Sequence, residues 1–332
     1  MQIYRFINRC IIGISTLIGL IFCCDVSAAP LPPELRVDYA DYNPLSQVMK
    51  KFGWLEQEFS AEHLRIRWIY SPESDVALKY LKSDSLNIAS TGSLSSVWSK
   101  AVGAPIKAVY VFARPEWDAI VVQRDSPINS MKELRGRKIA AASGTDSYLF
   151  LLRALRDAGM HKEDVRIIPM SHQEGSAALE LKCVDAWAGT HPYAALSQLE
   201  KGSRVICGND LVNSYGVLNI SEEFARKYPD AVLRVIKVYE KARKWALRHP
   251  DDLEVIFAEE ARVSLPVSKL VLSRFDFSRP IIDRNDLRVL KDESPFLKEE
   301  KLIRKDTDMD KVIEELIDTS FALKQVVTAS GQ

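Results

Sequence analysis

The chain of 332 residues sets 45 Lys and Arg against 45 Asp and Glu, a formal net charge of zero. That balance gives no electrostatic reason to expect nucleic acid or an anionic membrane surface as a partner. With 47% hydrophobic and 27% charged residues the composition is globular and not disordered, and the length suits two domains better than one core.

Residues 1–28 read as a targeting segment. Arg5 and Arg9 open it, a mostly apolar, uncharged run follows from Cys10 to Cys24, and Val26-Ser27-Ala28 offers a small-residue cleavage site. The pattern predicts a secretory signal peptide cut near Ala28 and a periplasmic location. The apolar run falls short of the roughly 20 residues that a spanning helix needs. Cleavage takes Arg5, Arg9 and Asp25 with it, so the remainder stays close to neutral. It also leaves Cys183 and Cys207 as the last two cysteines, in an oxidising compartment. Two readings stand for them: a disulfide closing a loop of about 25 residues, or two thiols on separate strands.

Beyond the signal, short β-branched runs alternate with helical patterns. Residues 35–39 predict a strand, 44–51 a helix stopped by Gly53, 64–70 a strand, 75–82 a helix and 86–89 a strand. Thr91-Gly92 then turns into a helix over 93–102, and strands follow at 106–112 and 119–123. The pattern restarts with a strand at 138–142, the turn Ser143-Gly144-Thr145 and a helix over 147–158. Strands at 165–168 and 184–188 flank a helix over 173–181, and strands at 204–207 and 215–220 come next. From Ser221 onward the chain reads as helical, punctuated by Pro229, Pro250, Pro266 and Pro280. The alternation predicts two successive α/β units, with mainly parallel sheets and a cleft between lobes.

Ligands of open α/β sheets gather where strands end and helices offer free N–H groups. Three strand-to-helix turns answer that description, at residues 40–44, 90–95 and 143–147, each rich in Ser, Thr, Asp, Asn or Gly. Simple helix capping by the same residue types is the other reading of each turn.

From Asp125 onward the residues resemble a known family. Asp125-Ser126-Pro127-Ile128, Leu134-Arg135-Gly136-Arg137-Lys138, Ser143-Gly144-Thr145, Leu151-Leu152-Arg153-Ala154-Leu155 and Val184-Asp185-Ala186-Trp187 occur in the order and spacing of the aliphatic-sulfonate family of transporter substrate-binding proteins. Gly53-Trp54-Leu55-Glu56, Ser90-Thr91-Gly92 and Gly103-Ala104-Pro105-Ile106-Lys107 extend the likeness towards the N-terminus. The resemblance implies a type II periplasmic binding protein, each lobe a mixed sheet flanked by helices, with the ligand between them. It implies lobe one from residues 29–118 and 222–332, lobe two from 119–221, and crossings near Ile120 and Val217. It further implies capture of a small organic acid, of the sulfonate or amino-sulfonate type, for an inner-membrane ABC permease with a cytoplasmic ATPase. A monomer without cofactor, metal or nucleic-acid partner is expected.

Carried over residue by residue, Thr91, Gly92 and Ser93 offer ligand contacts from lobe one and Ser143, Gly144 and Thr145 from lobe two. Gly144 also suits a close backbone approach. Trp187 forms an apolar wall or, alternatively, a strand-end core residue. Where the family carries a second Trp and an acidic residue before Pro, this chain has Thr190 and His191. Asp41 and Asp146 stand at two of the three turns, where each either caps a helix or faces the ligand. If they face it, the ligand carries an amine as well as, or instead of, an acid group, with Tyr42 and Trp117 adding cation–π contacts. Arg114 is a candidate bidentate partner for an acid group, or else part of a solvated loop pair with Glu116.

Nothing in the sequence argues for an enzyme. It has no Gly-x-Ser-x-Gly, His-Glu-x-x-His or Gly-x-x-x-x-Gly-Lys motif, and His63, His161, His172, His191 and His249 are scattered without metal-ligand spacing. A same-fold binder for an amine-containing or pyrimidine-like solute, or a sensing or biosynthetic role, remains the alternative.

Overall fold

The computed structural model describes residues 30–208 and 214–328. The expected signal peptide lies outside them. Two mixed sheets, each flanked by helices, organise the chain.

The first sheet takes strands β1 (Glu34–Tyr39), β2 (Arg65–Tyr70), β3 (Ile88–Gly92) and β4 (Ile106–Pro115) from the N-terminal part of the chain. The helices between them are α1 (Pro44–Phe52), α2 (Trp54–Glu58), α3 (Ser74–Lys82) and α4 (Ser93–Ala101). Local chemistry sets these boundaries. Asn43 accepts from the Ser46 N–H to start α1, and Gly53, at φ 61°, ends it in the left-handed region that favours glycine.

The second sheet holds β5 (Asp118–Val122), β6 (Lys138–Ala141), β7 (Arg166–Pro169), β8 (Ala186–Thr190) and β9 (Arg204–Cys207). Its helices are α5 (Asp146–Asp157), α6 (His172–Glu180) and α7 (Tyr193–Lys201). Thr145 caps α5 by accepting from the Tyr148 N–H, and a Ser171–Glu174 capping box opens α6.

The chain then returns to the first sheet as β10 (Gly216–Ser221), followed by α8 (Glu222–Lys227), α9 (Pro229–Arg248), α10 (Pro250–Glu260), α11 (Leu265–Leu272), the short β11 (Phe275–Asp276), α12 (Arg284–Glu299), α13 (Met309–Leu316) and α14 (Ser320–Thr328). Strand order is β11-β4-β10-β3-β1-β2 in lobe one and β7-β6-β8-β5-β9 in lobe two.

Each lobe receives one strand that runs against its parallel neighbours. β5 pairs antiparallel with β8 and β9, and β10 pairs antiparallel with β3 and β4. The first residues of both strands therefore lie at the carboxyl edge of the adjoining parallel strand, Asp118 opposite Thr190 and Gly216 opposite Gly92. β10 opens at Gly216, beside the second crossing expected near Val217. β10 completes the first sheet, so lobe two ends before Gly216 and not at residue 221. The physical reason is pairing: a solitary apolar run after β9 fills the gap between β3 and β4.

The C-terminal helices fasten the lobes together at two flanks. On one, Ala195 of α7 packs with Phe257, Val267 and Val271 of α10 and α11. On the other, Leu149 and Leu152 of α5 share one buried cluster with Leu94 and Val97 of α4 and with Leu290, Phe296 and Leu297 of α12. Arg153 of α5 pairs with Glu293 and Arg156 with Glu299, at 2.5 and 2.8 Å.

Cys183 and Cys207 form no disulfide. Cys207 lies beside Ile120 and Ile120 beside Ala188, so the two cysteines stand two strands apart and five residues out of step. At about 4.8 Å per strand and 3.3 Å per residue that is on the order of 15–20 Å, far beyond the reach of about 7 Å between Cα atoms.

Candidate functional site

Between the lobes lies a cavity of about 20 Å³, lined from lobe one by Tyr42, Glu73, Ser74 and Trp117, and from lobe two by Asp118, Thr145, Asp146, Ser147, His172 and Thr190. It has room for about one water-sized group. Its ten lining residues include three carboxylates and neither Lys nor Arg.

Its walls are built from strand ends and helix starts. Tyr42 follows β1, its ring fixed by a hydroxyl donated to the Ser90 carbonyl at 2.9 Å. Trp117 sits in the two-residue crossing from β4 to β5, with its indole N–H on Ser214 Oγ at 2.8 Å. The two rings meet edge to face, centroids 6.3 Å apart. Asp118 begins β5, and because that strand is reversed its carboxylate enters the same space as the N-termini of α5 and α6.

Asp146 crosses the cleft. Thr145 caps α5, so the Asp146 carboxylate is released to bond α4 of the other lobe: Oδ1 accepts from the Ser95 N–H at 2.8 Å and from Ser95 Oγ at 2.5 Å, and Oδ2 from the Leu94 N–H at 3.3 Å. The contact is so close that a Cβ at Gly92 would stand 2.2 Å from the carboxylate. Asp146 thus neither caps its own helix nor stands free for a ligand. It occupies the anion position at the start of α4.

A matching contact runs the other way. Glu73, preceding α3 in lobe one, accepts from the His172 N–H at the start of α6, Oε1 to N 2.5 Å. At the rim, Asp41 of lobe one accepts from Tyr70 at 2.6 Å and from Tyr193 of lobe two at 3.2 Å. Gly144, at φ 89°, passes so near Asp75 that an added Cβ would lie 2.9 Å from the Asp75 Cβ. Its close approach serves the opposite lobe.

Burial governs the protonation of these groups. It pushes the Glu73 carboxyl up to about 7, against the opposing bond from His172. The Asp118 carboxyl is raised well above the usual range by burial and by the nearby Asp146 charge. Burial raises Asp146 too, with the Ser95 bonds opposing, and raises Asp41 against the Tyr70 bond. His172 is driven down to about 3, so its imidazole is neutral at physiological pH.

Several sequence candidates go elsewhere. Arg114 is bidentate to Asp286, at 2.6 and 2.7 Å, and also donates to the carbonyls of Arg279 and Ile281. Its guanidinium is committed within lobe one and does not line the cavity. Trp187 is fully buried in the lobe two core against Ala140, Leu179 and Ala194, the alternative given for it. Thr91 and Gly92 form the end of β3 instead of a turn, and the Thr91 hydroxyl is held by Ser96 and Asn219. Ser93 Oγ accepts from the Tyr215 N–H, and Ser143 stays on the exposed surface. Tyr42, Trp117, Thr145 and Asp146 do come together.

Glu73, Ser74, Asp118, Ser147 and His172 were not anticipated as site residues. For Asp118 a signal existed: a carboxylate directly before the apolar run Ala119–Val122 is costly unless that end of the strand is functional.

Known proteins share this architecture. The alkanesulfonate-binding protein SsuA of Xanthomonas axonopodis pv. citri, solved bound to MOPS, superposes with a TM-score of 0.78 at 21% identity, over 88% of this chain and 100% of that one. The desulfurization enzyme DSZB matches with a TM-score of 0.65 at 18% identity, over 90% and 100%. The fold is that of the two-lobed periplasmic binding proteins, and it hosts enzymes as well. In sequence, a Bacillus subtilis (strain 168) protein named for binding aliphatic sulfonates is 26% identical over 88% of this chain and 87% of its own. An Escherichia coli (strain K12) protein of the same name is 29% identical over 65% and 68%. The NMT1/THI5-like family pattern matches residues 58–253, and this chain belongs to that family.

Proposed function

We propose that the chain is the extracytoplasmic solute-binding component of an ABC importer, capturing a small sulfonate or amino-sulfonate by closure of its lobes. The observation that carries this reading is the cleft itself. Helices from both lobes begin at it, and polar contacts that only closure can make cross it, Asp146 to α4 and Glu73 to α6. The names of the related proteins support a sulfonate as the solute class and binding, without catalysis, as the activity. In this reading the leader is cleaved near Ala28, and the mature protein delivers solute in the periplasm to an inner-membrane permease with its cytoplasmic ATPase. Among the described residues no helix is long and apolar enough to cross a membrane.

Calorimetric titration with ethanesulfonate and taurine, paired with small-angle scattering, tests the proposal. Saturable binding by at least one, with a change in radius of gyration, is the expected result. If neither binds and protein prepared from its own periplasm carries no solute, the proposal fails.

A further inference from the structure

The cleft has the wrong charge for a plain anion. An alkanesulfonate would seek helix N–H groups or a cation, and the lining holds neither Lys nor Arg. At α4 the N–H groups of Leu94 and Ser95 are taken by Asp146. At α6 the first N–H is taken by Glu73. Two of the three lining carboxylates are thus consumed as caps of the opposite lobe.

The third is not. Asp118 is 4% exposed, and its Oδ2 has no hydrogen-bond partner. Across the same cavity His172, also 4% exposed, keeps Nδ1 unpartnered while Nε2 approaches Ser147 Oγ at 3.4 Å. Buried polar atoms left without partners are rare in folded proteins, and here the two residues that carry them line one cavity. Tyr42 and Trp117, their polar ends anchored outside it, complete an aromatic corner. The Asp118 carboxyl, raised by burial, would ionise beside an ammonium, and with a neutral imidazole and two aromatic rings it matches such a head group. Among the described residues no three His, Cys, Asp or Glu side chains are grouped to hold a metal ion.

The geometry points to recognition of the solute through a cationic nitrogen, an amine or quaternary ammonium, with Asp118 as counter-ion and Tyr42 and Trp117 facing the head group, while Asp146 keeps simple anions off α4. This rests on the solute-capture reading above and narrows its substrate class to amino-sulfonates and other amines. The cavity admits only a head-sized group, so the rest of the solute holds the lobes further apart than they stand here.

Three probes of similar size separate the charges: ethanesulfonate (acid only), taurine (acid and ammonium) and ethanolamine (ammonium only). Each is titrated into the full mature protein and into Asp118→Asn. The expected result is that taurine or ethanolamine binds at least tenfold tighter than ethanesulfonate, and that Asp118→Asn loses at least tenfold for the ammonium probes. The melting temperature of Asp118→Asn without solute is expected to equal or exceed that of the wild type, because the substitution removes a buried carboxyl that has no counter-ion. A merely structural aspartate would give the opposite shift. Ethanesulfonate binding as tightly as taurine, unchanged by Asp118→Asn, overturns the inference and leaves solute capture standing. If no probe binds, the mass of the solute carried by protein from its own periplasm decides. A solute with a cationic nitrogen upholds the inference, one without it overturns the inference alone, and a protein that carries none overturns both.

Discussion

The contact between the lobes has two kinds of region, and they divide the labour. At the flanks, α7 meets α10 and α11 through Ala195, Phe257, Val267 and Val271, and α5 meets α12 through Leu149, Leu152, Phe296 and Leu297. These contacts are mainly apolar, so most of their strength follows buried area, with the Arg153–Glu293 and Arg156–Glu299 pairs added at the α5–α12 flank. At the centre and its rim, the lobes meet through Asp146 at α4, Glu73 at α6 and Asp41 at Tyr193. Such contacts need position and protonation to be right, and each carboxylate has left water to make them. The flanks therefore hold the lobes together mostly through buried area, and in the function proposed above the centre decides when closure is favourable.

The largest effect should come from the flanks. Phe257 is fully buried, and Phe257→Ala should cost about 3–5 kcal/mol in urea denaturation. A loss under about 1 kcal/mol would show that the flank is not packed as described.

At the centre, Asp146→Asn should shift the equilibrium towards open lobes by about 1–2 kcal/mol. It gives up part of a charge-assisted bond set worth about 1.5–3 kcal/mol and regains some of the cost of burying the charge. Scattering should report a larger radius of gyration with little change in the urea midpoint. An unchanged radius would place the decisive contacts back in the flanks.

Protonation sharpens the same contrast. Glu73 has a carboxyl pushed up to about 7 by burial, with Asp75 and Glu174 adding repulsion, against an ordinary value of 4.5. Separated lobes return it to water, so the closed form binds the extra proton. Closure is then favoured as pH falls from about 7 towards 4.5, and that contribution is lost as pH rises through 7. Asp118 and Asp146 are raised in the same direction, so Glu73→Gln should flatten the pH profile of the radius of gyration without abolishing it. A profile steeper in the variant would reverse the assignment. The smallest effect belongs far from both regions. Cys183 is exposed and not disulfide-bonded, so Cys183→Ser, or added reductant, should move stability by less than about 0.5 kcal/mol.

The sequence carried the helices and strands well because their signals are local: Gly53 ends α1, Thr145 begins α5, and β-branched runs mark the strands. It carried the site only in part. Tyr42, Trp117, Thr145 and Asp146 stand out in the sequence as polar or aromatic groups at turns, but that Asp146 bonds α4 of the other lobe does not. Its partner α4 is 51 residues away and in the other lobe, which periodicity cannot reveal. Asp118 escaped because its position depends on β5 running backwards, a property of sheet pairing. The pairing of Arg114 is hidden from the sequence for a related reason. Asp286, the carboxylate that claims it, lies 172 residues further along the chain.

The reversed strand β10 also sets the order in which the molecule can be assembled. In lobe one it lies between β3 and β4, pairing Gly216 with Gly92 and with Ala113, although all of lobe two separates it from them in the chain. Lobe two is one continuous stretch and can complete its sheet as soon as β9 has been made. Lobe one holds an unfilled slot between two strand edges until residue 221 has emerged, and closing that slot costs the entropy of a loop about 100 residues long unless lobe two folds first and shortens the path. The sheet that begins the chain is thus the last that can be completed as the chain is made, and a truncation just short of β10 would leave the edges of β3 and β4 unpaired.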